Sequence, residues 1–389
     1  MNKRFCACLM LTLLLVLTPQ AGAEESGGEW EFTPESEKAI ERGLEWLAGN
    51  QGETGNWESN DLGLVSLGLL GFLSAGHLPG RGKYAEPTKR ALEYVLTNAQ
   101  RSGLLNIAAK SRDMYNHGLS TFVLTQAHGM CPDKRVGEAL DKALKLICAV
   151  QCGDGGWDYV AERQSRGHDL SLAVMQAKAL RGAMDSGFEI PERNTQRAIE
   201  SVRHYYRHTG GPDGRGKLYG DHPAAQRPGR FTYDGGQSGT TAMAAAGVVC
   251  LQEFGEYDDF RIYRSLDEVL SDVRGKMQVR KGHLPFDAYT LYYVAQALYQ
   301  VGGERWREGF PRLRKAVVES QSVSDKKDEN GSWMDGRVSG KPGRLFGTAV
   351  GVFVLCIPNR YLPILQEGRV DPRDLKDKGT SPGARGDRR

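Results

Sequence analysis

The sequence predicts an all-α fold in which six helical hairpins close into a ring, an (α/α)6 toroid of twelve helices. Two observations predict it. A short phrase containing glutamine, a glycine-rich turn and tryptophan recurs along the 389 residues, and amphipathic segments alternate with segments that are apolar on every side.

The recurring phrase is complete at Gln51 to Trp57, at Gln151 to Trp157 and, in a longer form, at Gln321 to Trp333. Weaker copies lie at Gln100 to Leu105 and at Gln278 to Leu284, where leucine replaces tryptophan. A period of roughly 40–50 residues is typical of repeat folds built from one supersecondary unit. We therefore expect the glutamine and tryptophan to have structural roles at the loops between paired helices.

The first helix of each predicted pair is amphipathic. Ile40, Leu44 and Leu47 follow the helical spacing, and the charged residues between them, including Glu41 and Glu45, face the other way. The same pattern recurs five more times. These six helices are predicted to form an outer layer, each with one solvent-exposed face.

The second helix of each pair is apolar or small on every side, as Leu62 to Phe72 illustrates. Similar runs cover Leu119 to Leu124, Leu170 to Leu180, Thr240 to Leu251, Ala288 to Leu298 and Thr348 to Ile357. Helices that are apolar all round must be buried all round. An inner ring surrounded by the outer layer satisfies this requirement. The alternative, an open solenoid, would need polar caps, and the terminal repeats are as apolar as the middle ones.

Three segments fall outside the repeat plan. Residues 1–23 have a basic start, an apolar run of nine and Ala21-Gly22-Ala23, which predicts a secretory signal peptide cleaved near Ala23. The protein is therefore expected to be secreted or periplasmic, with one toroid domain at 30–365. Residues 209–236 form an oversized connection, and the charged tail at 366–389 is predicted to be disordered.

Charge and composition exclude several classes of function. Without Lys3 and Arg4 the chain has 49 basic and 48 acidic residues. The basic residues do not form a cluster, so a nucleic-acid partner is not expected. No second segment approaches 18 apolar residues, so no stable membrane span is expected. The five cysteines after residue 23 are too few and too scattered for a disulfide framework. No metal and no cofactor are expected.

The phrase at Arg42-Gly43, Trp46-Leu47, Gln51 and Gly55-Asn56-Trp57 resembles the QW motif of squalene and oxidosqualene cyclases. Over roughly residues 35–360 the chain is similar to the prenyltransferase and squalene oxidase repeat family, in particular to secreted bacterial members. The resemblance implies an α/α toroid. It implies little about activity, because terpene cyclases, protein prenyltransferase β subunits and complement-type thioester domains share this fold.

The sequence departs from the enzymes of that family. An Asp-x-Asp-Asp cluster like that of the cyclases is missing, since Asp258-Asp259 lies in a polar turn. Zinc ligands like those of the prenyltransferases and a Cys-Gly-Glu-Gln thioester are also missing. The catalytic groups that the resemblance would imply are therefore not present in their usual form.

Aligning the six apolar helices places polar residues at their starts. These are Asp61, His117, Asp169 and Asp287, with His168 one residue earlier, and glycines at 239 and 347. Parallel inner helices would bring these positions to one mouth of the ring, where helix dipoles favour anions. Asp169 and His168 are the candidate acid pair. Asp61, His117 and Asp287 are candidate ligand-binding residues, and helix capping is the alternative role for the aspartates.

Aromatic residues near the same mouth, Tyr115 and Tyr289, are candidate ligand-binding residues or simply part of the core. Three functions follow from this reading. The first is a non-catalytic binder of an apolar, isoprenoid-like molecule or of a protein partner. The second is an isoprenoid cyclase or transferase that uses Asp169 and His168 as the acid. The third is a carbohydrate-active enzyme, which would need two carboxylates across a cleft.

Overall fold

The computed structural model describes residues 29–208, 227–236 and 239–366. The predicted signal peptide, most of the 209–236 connection and nearly all of the charged tail lie outside these ranges. The location of the protein therefore stays a prediction.

The described residues form twelve long helices that alternate between two layers. The outer helices are α1 (Pro34–Asn50), α3 (Ala85–Thr97), α5 (Lys134–Ala149), α7 (Glu192–Arg203), α9 (Phe260–Gly275) and α11 (Gly303–Ser320). The inner helices are α2 (Leu62–Ser74), α4 (Asp113–Met130), α6 (Leu170–Asp185), α8 (Thr241–Glu253), α10 (Ala288–Val301) and α12 (Gly340–Cys356). A short helix α13 (Pro363–Gln366) follows. Strands β1 (Tyr206–His208) and β2 (Gly229–Phe231) pair antiparallel, with Tyr206 opposite Phe231.

The inner helices form a closed ring. Each packs against the next, from α2 through α4, α6, α8 and α10 to α12, and α12 packs back against α2. The outer layer closes as well, because α1 contacts both α11 and α12. The predicted (α/α)6 toroid is confirmed, and the open solenoid is excluded for the described part of the chain.

Burial follows the two sequence patterns. Every residue of α2 is buried, from Leu62 to Ser74, whereas α1 buries only a stripe that includes Leu44 and Leu47. Inner-helix glycines allow close approach: a Cβ on Gly68 would lie 2.7 Å from the Trp57 ring. Small residues are therefore required where an inner helix lies directly against a tryptophan side chain or another helix.

The glutamine of the recurring phrase joins neighbouring repeats. Its Nε2 donates to a glycine carbonyl in its own loop and to a carbonyl of the next outer helix, at 2.8–3.1 Å. The pairs are Gln51 with Gly55 and Pro87, Gln151 with Gly155 and Asn194, and Gln321 with Gly331 and Ala39. The last pair links the sixth repeat to the first, so the same contact that joins neighbours also closes the ring.

The tryptophan of the phrase ties the loop to the outer helix before it. Each indole Nε1 donates to a carbonyl in the last turns of that helix, and each ring is fully buried. The pairs are Trp57 with Leu47 at 2.8 Å, Trp157 with Ile147 at 3.0 Å and Trp333 with Val317 at 2.9 Å. The structural role expected for this motif is thus visible in three repeats.

Three inner helices begin elsewhere than the sequence alignment suggests. Helix α4 starts at Asp113, so His117 lies inside the helix. Helix α12 starts at Gly340 because Pro342 fits a first turn, where its missing N–H is not needed, so Gly347 lies two turns in. The cap of α8 is Thr240, whose hydroxyl accepts from the Met243 N–H at 3.2 Å.

One segment, Gly340–Asn359, is long and apolar enough to cross a membrane. It contains α12, and 72% of its apolar window is buried inside the protein. Contacts with α1, α2 and α10 surround it. Its apolar character is explained by its place in the inner ring.

We expect Gly155→Ala to destabilise the fold more than Gly187→Ala. Both glycines have positive φ, 90° and 83°, so both variants carry backbone strain. A Cβ on Gly155 would also lie 2.1 Å from the Arg197 carbonyl of the next outer helix, whereas a Cβ on Gly187 meets nothing within 4 Å. The extra loss should be about 1–3 kcal/mol.

Urea unfolding followed by circular dichroism measures this difference. Gly187→Ala is the matched control for backbone strain alone. Equal losses in the two variants would show that the close contact between repeats contributes nothing to stability.

Candidate functional site

Three of the six inner-helix starts at the mouth are capped by aspartate. Asp61, Asp169 and Asp287 are the N-caps of α2, α6 and α10, and each uses Oδ1 to accept backbone N–H groups. The N–H donors are Leu64 at 3.1 Å, Ser171 at 2.8 Å with Leu172 at 3.3 Å, and Thr290 at 3.1 Å. The capping role expected as an alternative is present at all three positions.

The second oxygen of each cap bonds a side chain from a loop at the mouth. Arg112 donates to Asp61 Oδ2 at 3.0 Å, and Arg337 donates to Asp287 Oδ2 at 3.0 Å. Asp169 Oδ2 accepts from the Tyr159 hydroxyl at 2.7 Å. The three carboxylates are therefore all engaged, and Arg112 and Arg337 remain 48% and 64% exposed.

A polar cluster surrounds Asp169, whose side chain is completely buried. His168 Nδ1 donates to Asp169 Oδ2 at 3.0 Å, and Ser171 also bonds the carboxylate through its hydroxyl. The Tyr159 hydroxyl contacts that of Tyr233. We call His168, Asp169, Ser171, Tyr159, Tyr233 and Tyr115 the Asp169 cluster. The Tyr115 hydroxyl joins it by a hydrogen bond to Ser171.

Within this cluster Asp169 and Ser171 are buried, and the histidine and the tyrosines are partly accessible. The His168 side chain is 52% exposed, Tyr233 is 38% exposed, and Tyr115 and Tyr159 are half-buried. Asp169 accepts at both oxygens and cannot be reached from the mouth, so it positions His168 and Tyr159. The candidate acid pair is thus brought together, with the histidine as its exposed member.

The tyrosine hydroxyls at the mouth stay protonated. Burial and the nearby Asp169 carboxylate raise the pKa of Tyr233 to about 12. Burial raises the pKa of Tyr115 and Tyr159 as well, with the negative charge of Asp169 adding to the effect. These hydroxyls are available as neutral hydrogen-bond donors and acceptors.

Tyr289 lies at the floor of the mouth. Its hydroxyl is buried next to Ser171, and burial raises the pKa of Tyr289 well above its usual value. The hydroxyl forms no hydrogen bond of regular geometry with the described residues. A buried hydroxyl without such a bond favours a polar ligand atom or a water at this position.

The ring below Tyr289 is filled by side chains that meet across it. Met175 accepts from the Tyr293 hydroxyl, with Sδ and Oη 3.2 Å apart, and Lys178 bonds Gln296. Helices α6 and α10 are not neighbours in the ring, so these contacts span its interior. All four side chains are buried.

Lys178 is a buried charge at the centre of the ring. Its Nζ lies 3.3 Å from Glu253 Oε1 and 4.2 Å from the centre of the Phe122 ring. Burial lowers the pKa of Lys178, and Glu253 opposes that effect. Gln300 donates to the same Glu253 oxygen at 2.7 Å. Charged and amide groups thus occupy the interior of the ring below the mouth.

His117 does not face the mouth. Its Nδ1 accepts from the Leu105 N–H at 3.1 Å, and its Nε2 donates to the Ala143 carbonyl at 3.1 Å. The side chain is fully buried, and burial lowers the pKa of His117 to about 4. His117 is a neutral link between α4 and the outer layer.

Sequence reasoning missed Tyr159, Tyr233 and Arg112. All three belong to loops that precede inner helices, and no repeat pattern marks them. The position of Tyr159 two residues after Trp157 was the one available signal. No group of three or more histidine, cysteine, aspartate or glutamate residues is placed to hold a metal within the described ranges.

Solved structures with the same architecture belong to different functional classes. A cellobiose 2-epimerase from Bacillus thermoamylovorans B4167 matches with a TM-score of 0.56 and 11% identity, over 84% of this chain and 98% of that chain. The GH76A α-1,6-mannanase from Salegentibacter sp. HEL1_6 matches with a TM-score of 0.52 and 9% identity, over 84% and 98%. A type II terpene cyclase from Scytonema gives a TM-score of 0.49 at 12% identity, over 84% and 98%.

No protein-family model matches the sequence, and no curated protein matches it significantly. At identities this low the structural likeness shows the α/α-toroid fold alone. Membership of the prenyltransferase and squalene oxidase repeat family stays a prediction.

We expect acid to destabilise the protein through His117. The folded-state pKa of about 4 lies below the usual 6.5, so the unfolded chain binds the proton first as pH falls. The free energy of unfolding contributed by this residue is complete above pH 6.5 and is lost as pH falls toward 4. The loss amounts to about 3 kcal/mol.

Titration by NMR of the His117 ring, with unfolding curves at several pH values, measures both effects. The exposed His168 in the same spectra is the internal comparison. A His117 ring that titrates near 6.5 in the folded protein would contradict the expectation.

Proposed function

We propose that this protein binds a saccharide at the mouth of the toroid, through the Asp169 cluster and Tyr289. The observation that carries the proposal is the gathering of four tyrosine hydroxyls and an exposed histidine around one buried carboxylate. The interior directly below them is filled. Aromatic faces beside fixed polar groups are the usual means of orienting a ligand in a protein site.

The hydroxyl groups favour a ligand that is itself rich in hydroxyls. An apolar ligand would offer no partner to the buried Tyr289 hydroxyl or to the second hydrogen-bonding position of the Tyr115 and Tyr233 hydroxyls, and a buried polar group left unpaired costs about 1–3 kcal/mol. A sugar can pair with them while its C–H faces pack on the rings. This argument favours a saccharide over an isoprenoid as the ligand.

The filled interior supports the same choice. Lys178, Glu253 and Gln296 lie where the apolar cavity of an isoprenoid-binding toroid would be needed, and each exposes 3% or less of its surface. The first sequence-based hypothesis, a binder without catalysis, is kept in this proposal. Its apolar ligand is replaced by a polar one.

We propose binding rather than glycoside hydrolysis because of the carboxylates. Hydrolysis by the common mechanism needs two carboxyl groups facing a cleft. Asp61 and Asp287 are paired with arginines, and Asp169 is buried under its hydrogen bonds. These engaged groups leave binding as the better-supported function at this rim.

The relatives in fold add support at the level of ligand class. An inactive variant of the mannanase was solved in complex with α-1,6-mannotriose, and the epimerase is named for cellobiose. An α/α toroid can therefore hold a saccharide. With the predicted signal peptide, the proposal describes a secreted or periplasmic saccharide-binding protein.

We expect Tyr233→Ala to weaken saccharide binding about tenfold, the loss typical of an aromatic anchor in a binding site. The control is Tyr263→Ala, because Tyr263 is exposed to a similar extent, 40% against 38%, but lies on outer helix α9. An oligosaccharide array identifies the ligand, and calorimetric titration of the wild type and both variants gives the affinities.

The result that overturns the proposal is a lack of binding to any oligosaccharide. Binding of geranylgeranyl lipid micelles instead, with Tyr233→Ala unaffected, would restore the apolar-ligand hypothesis. A variant at Tyr263 that weakens saccharide binding equally would place the site away from the mouth.

A further inference from the structure

We propose that the saccharide is acidic and carries carboxylate groups such as those of uronic acids; this inference rests on the proposed function. Four side chains lie side by side along one side of the mouth. They are, in spatial order, Arg112, Tyr115, Tyr159 and His168, and we call them the cationic row. Its two ends are nitrogen bases, and its centre is aromatic.

The row is continuous. The Arg112 guanidinium carbon lies 5.7 Å from the centre of the Tyr115 ring. The Tyr115 and Tyr159 ring centres are 5.6 Å apart, and the Tyr159 and His168 ring centres are 4.5 Å apart in an edge-to-face arrangement. A bound sugar ring packed on the two tyrosines would therefore have Arg112 on one side and His168 on the other.

Arg112 has donors to spare. Asp61 engages only its Nη2, and Nε and Nη1 form no hydrogen bond with the described residues. The Arg112 side chain is 48% exposed while the Asp61 side chain is 14% exposed, so a ligand at the mouth meets the arginine first. A planar guanidinium matches the two oxygens of a carboxylate.

His168 supplies the second nitrogen. Asp169 accepts the Nδ1–H, which fixes the ring, and Nε2 forms no hydrogen bond with the described part of the chain. The buried Asp169 carboxylate can compensate an imidazolium without contacting the ligand. A ligand carboxylate at Nε2 would favour that protonated ring and form a charge-assisted hydrogen bond.

The carboxylates beside the row, Asp113 and Asp158 included, are already engaged by the protein's own hydrogen-bond donors. Asp61 is paired with Arg112 and also caps α2, and Asp169 has no exposed surface. Glu162, on the loop beside the row, is paired with Lys110, with Nζ and Oε1 2.6 Å apart. A neutral sugar would use the tyrosines alone and leave both ends of the row unused.

The test compares tetragalacturonate with the matching neutral oligosaccharide by calorimetric titration of the full chain. We expect at least tenfold tighter binding of the acidic ligand, since a hydrogen bond to a charged group contributes about 1.5–3 kcal/mol. Raising the salt concentration from 0.05 to 0.5 M should reduce this preference, because the screening length falls below the size of the site.

Arg112→Gln should lower the affinity for the acidic ligand much more than the affinity for the neutral ligand, and His168→Gln should reduce the remaining preference further. The matched control is Arg337→Gln. Arg337 makes the same 3.0 Å contact with an N-cap aspartate, Asp287, but does not belong to the row. Its loss therefore reproduces the change in net charge and cap stability.

Equal affinity for acidic and neutral oligosaccharides would overturn this inference and leave the proposed function intact. Equal effects of Arg112→Gln and Arg337→Gln would also overturn it, because the preference would then come from overall charge. Failure to bind these two ligands and every oligosaccharide on the array would overturn both proposals.

Discussion

Closure of the ring governs the rest of this structure. An inner helix such as α2 is buried on all sides, so it has no stable environment unless helices flank it on both sides and α1 covers it. The first and last repeats would each lack a neighbour in an open chain. The contact of Gln321 with Ala39 and the packing of α12 on α2 supply those missing neighbours. The six hairpins are therefore expected to depend on one another more than the units of an open solenoid do.

Closure also determines the chemistry of the mouth. It brings parallel helix starts to one rim, where unpaired backbone N–H groups need acceptors. Aspartates 61, 169 and 287 fill that need, and their outer oxygens then hold loops in place through Arg112, Tyr159 and Arg337. These three aspartates therefore serve the fold, as helix caps and as partners of the loops. The side chains that remain available to a ligand are tyrosines, a histidine and arginines, several of which are hydrogen-bonded to the capping aspartates.

The fold could be predicted because its signals are local. The helical spacing of α1 and the uniform apolarity of α2 can each be recognised within one segment. The complete glutamine and tryptophan phrase marks the loop between paired helices in the first, third and sixth repeats. The aspartate caps could also be found, since each stands immediately before an apolar run. His117 was misplaced because α4 begins at Asp113, before the apolar run from Leu119, and no side-chain cap marks that start. Tyr159 and Tyr233 are 74 residues apart, and nothing in either neighbourhood indicates that they meet.

The filled interior could not be predicted from the sequence either, because it also depends on contacts between distant segments. Ser171, Met175 and Lys178 follow helical spacing along α6, and Tyr289, Tyr293 and Gln296 follow the same spacing along α10. Each series looks like an ordinary buried stripe until the ring closes and the two face each other. The uppermost pair, Ser171 and Tyr289, then forms the floor of the mouth. A ligand can enter only as deep as that floor, so its identity is decided by the loops before α4, α6 and α8. The residues of those loops that face the mouth lie outside the repeated glutamine and tryptophan phrase, and a toroid can therefore change ligand without changing its fold.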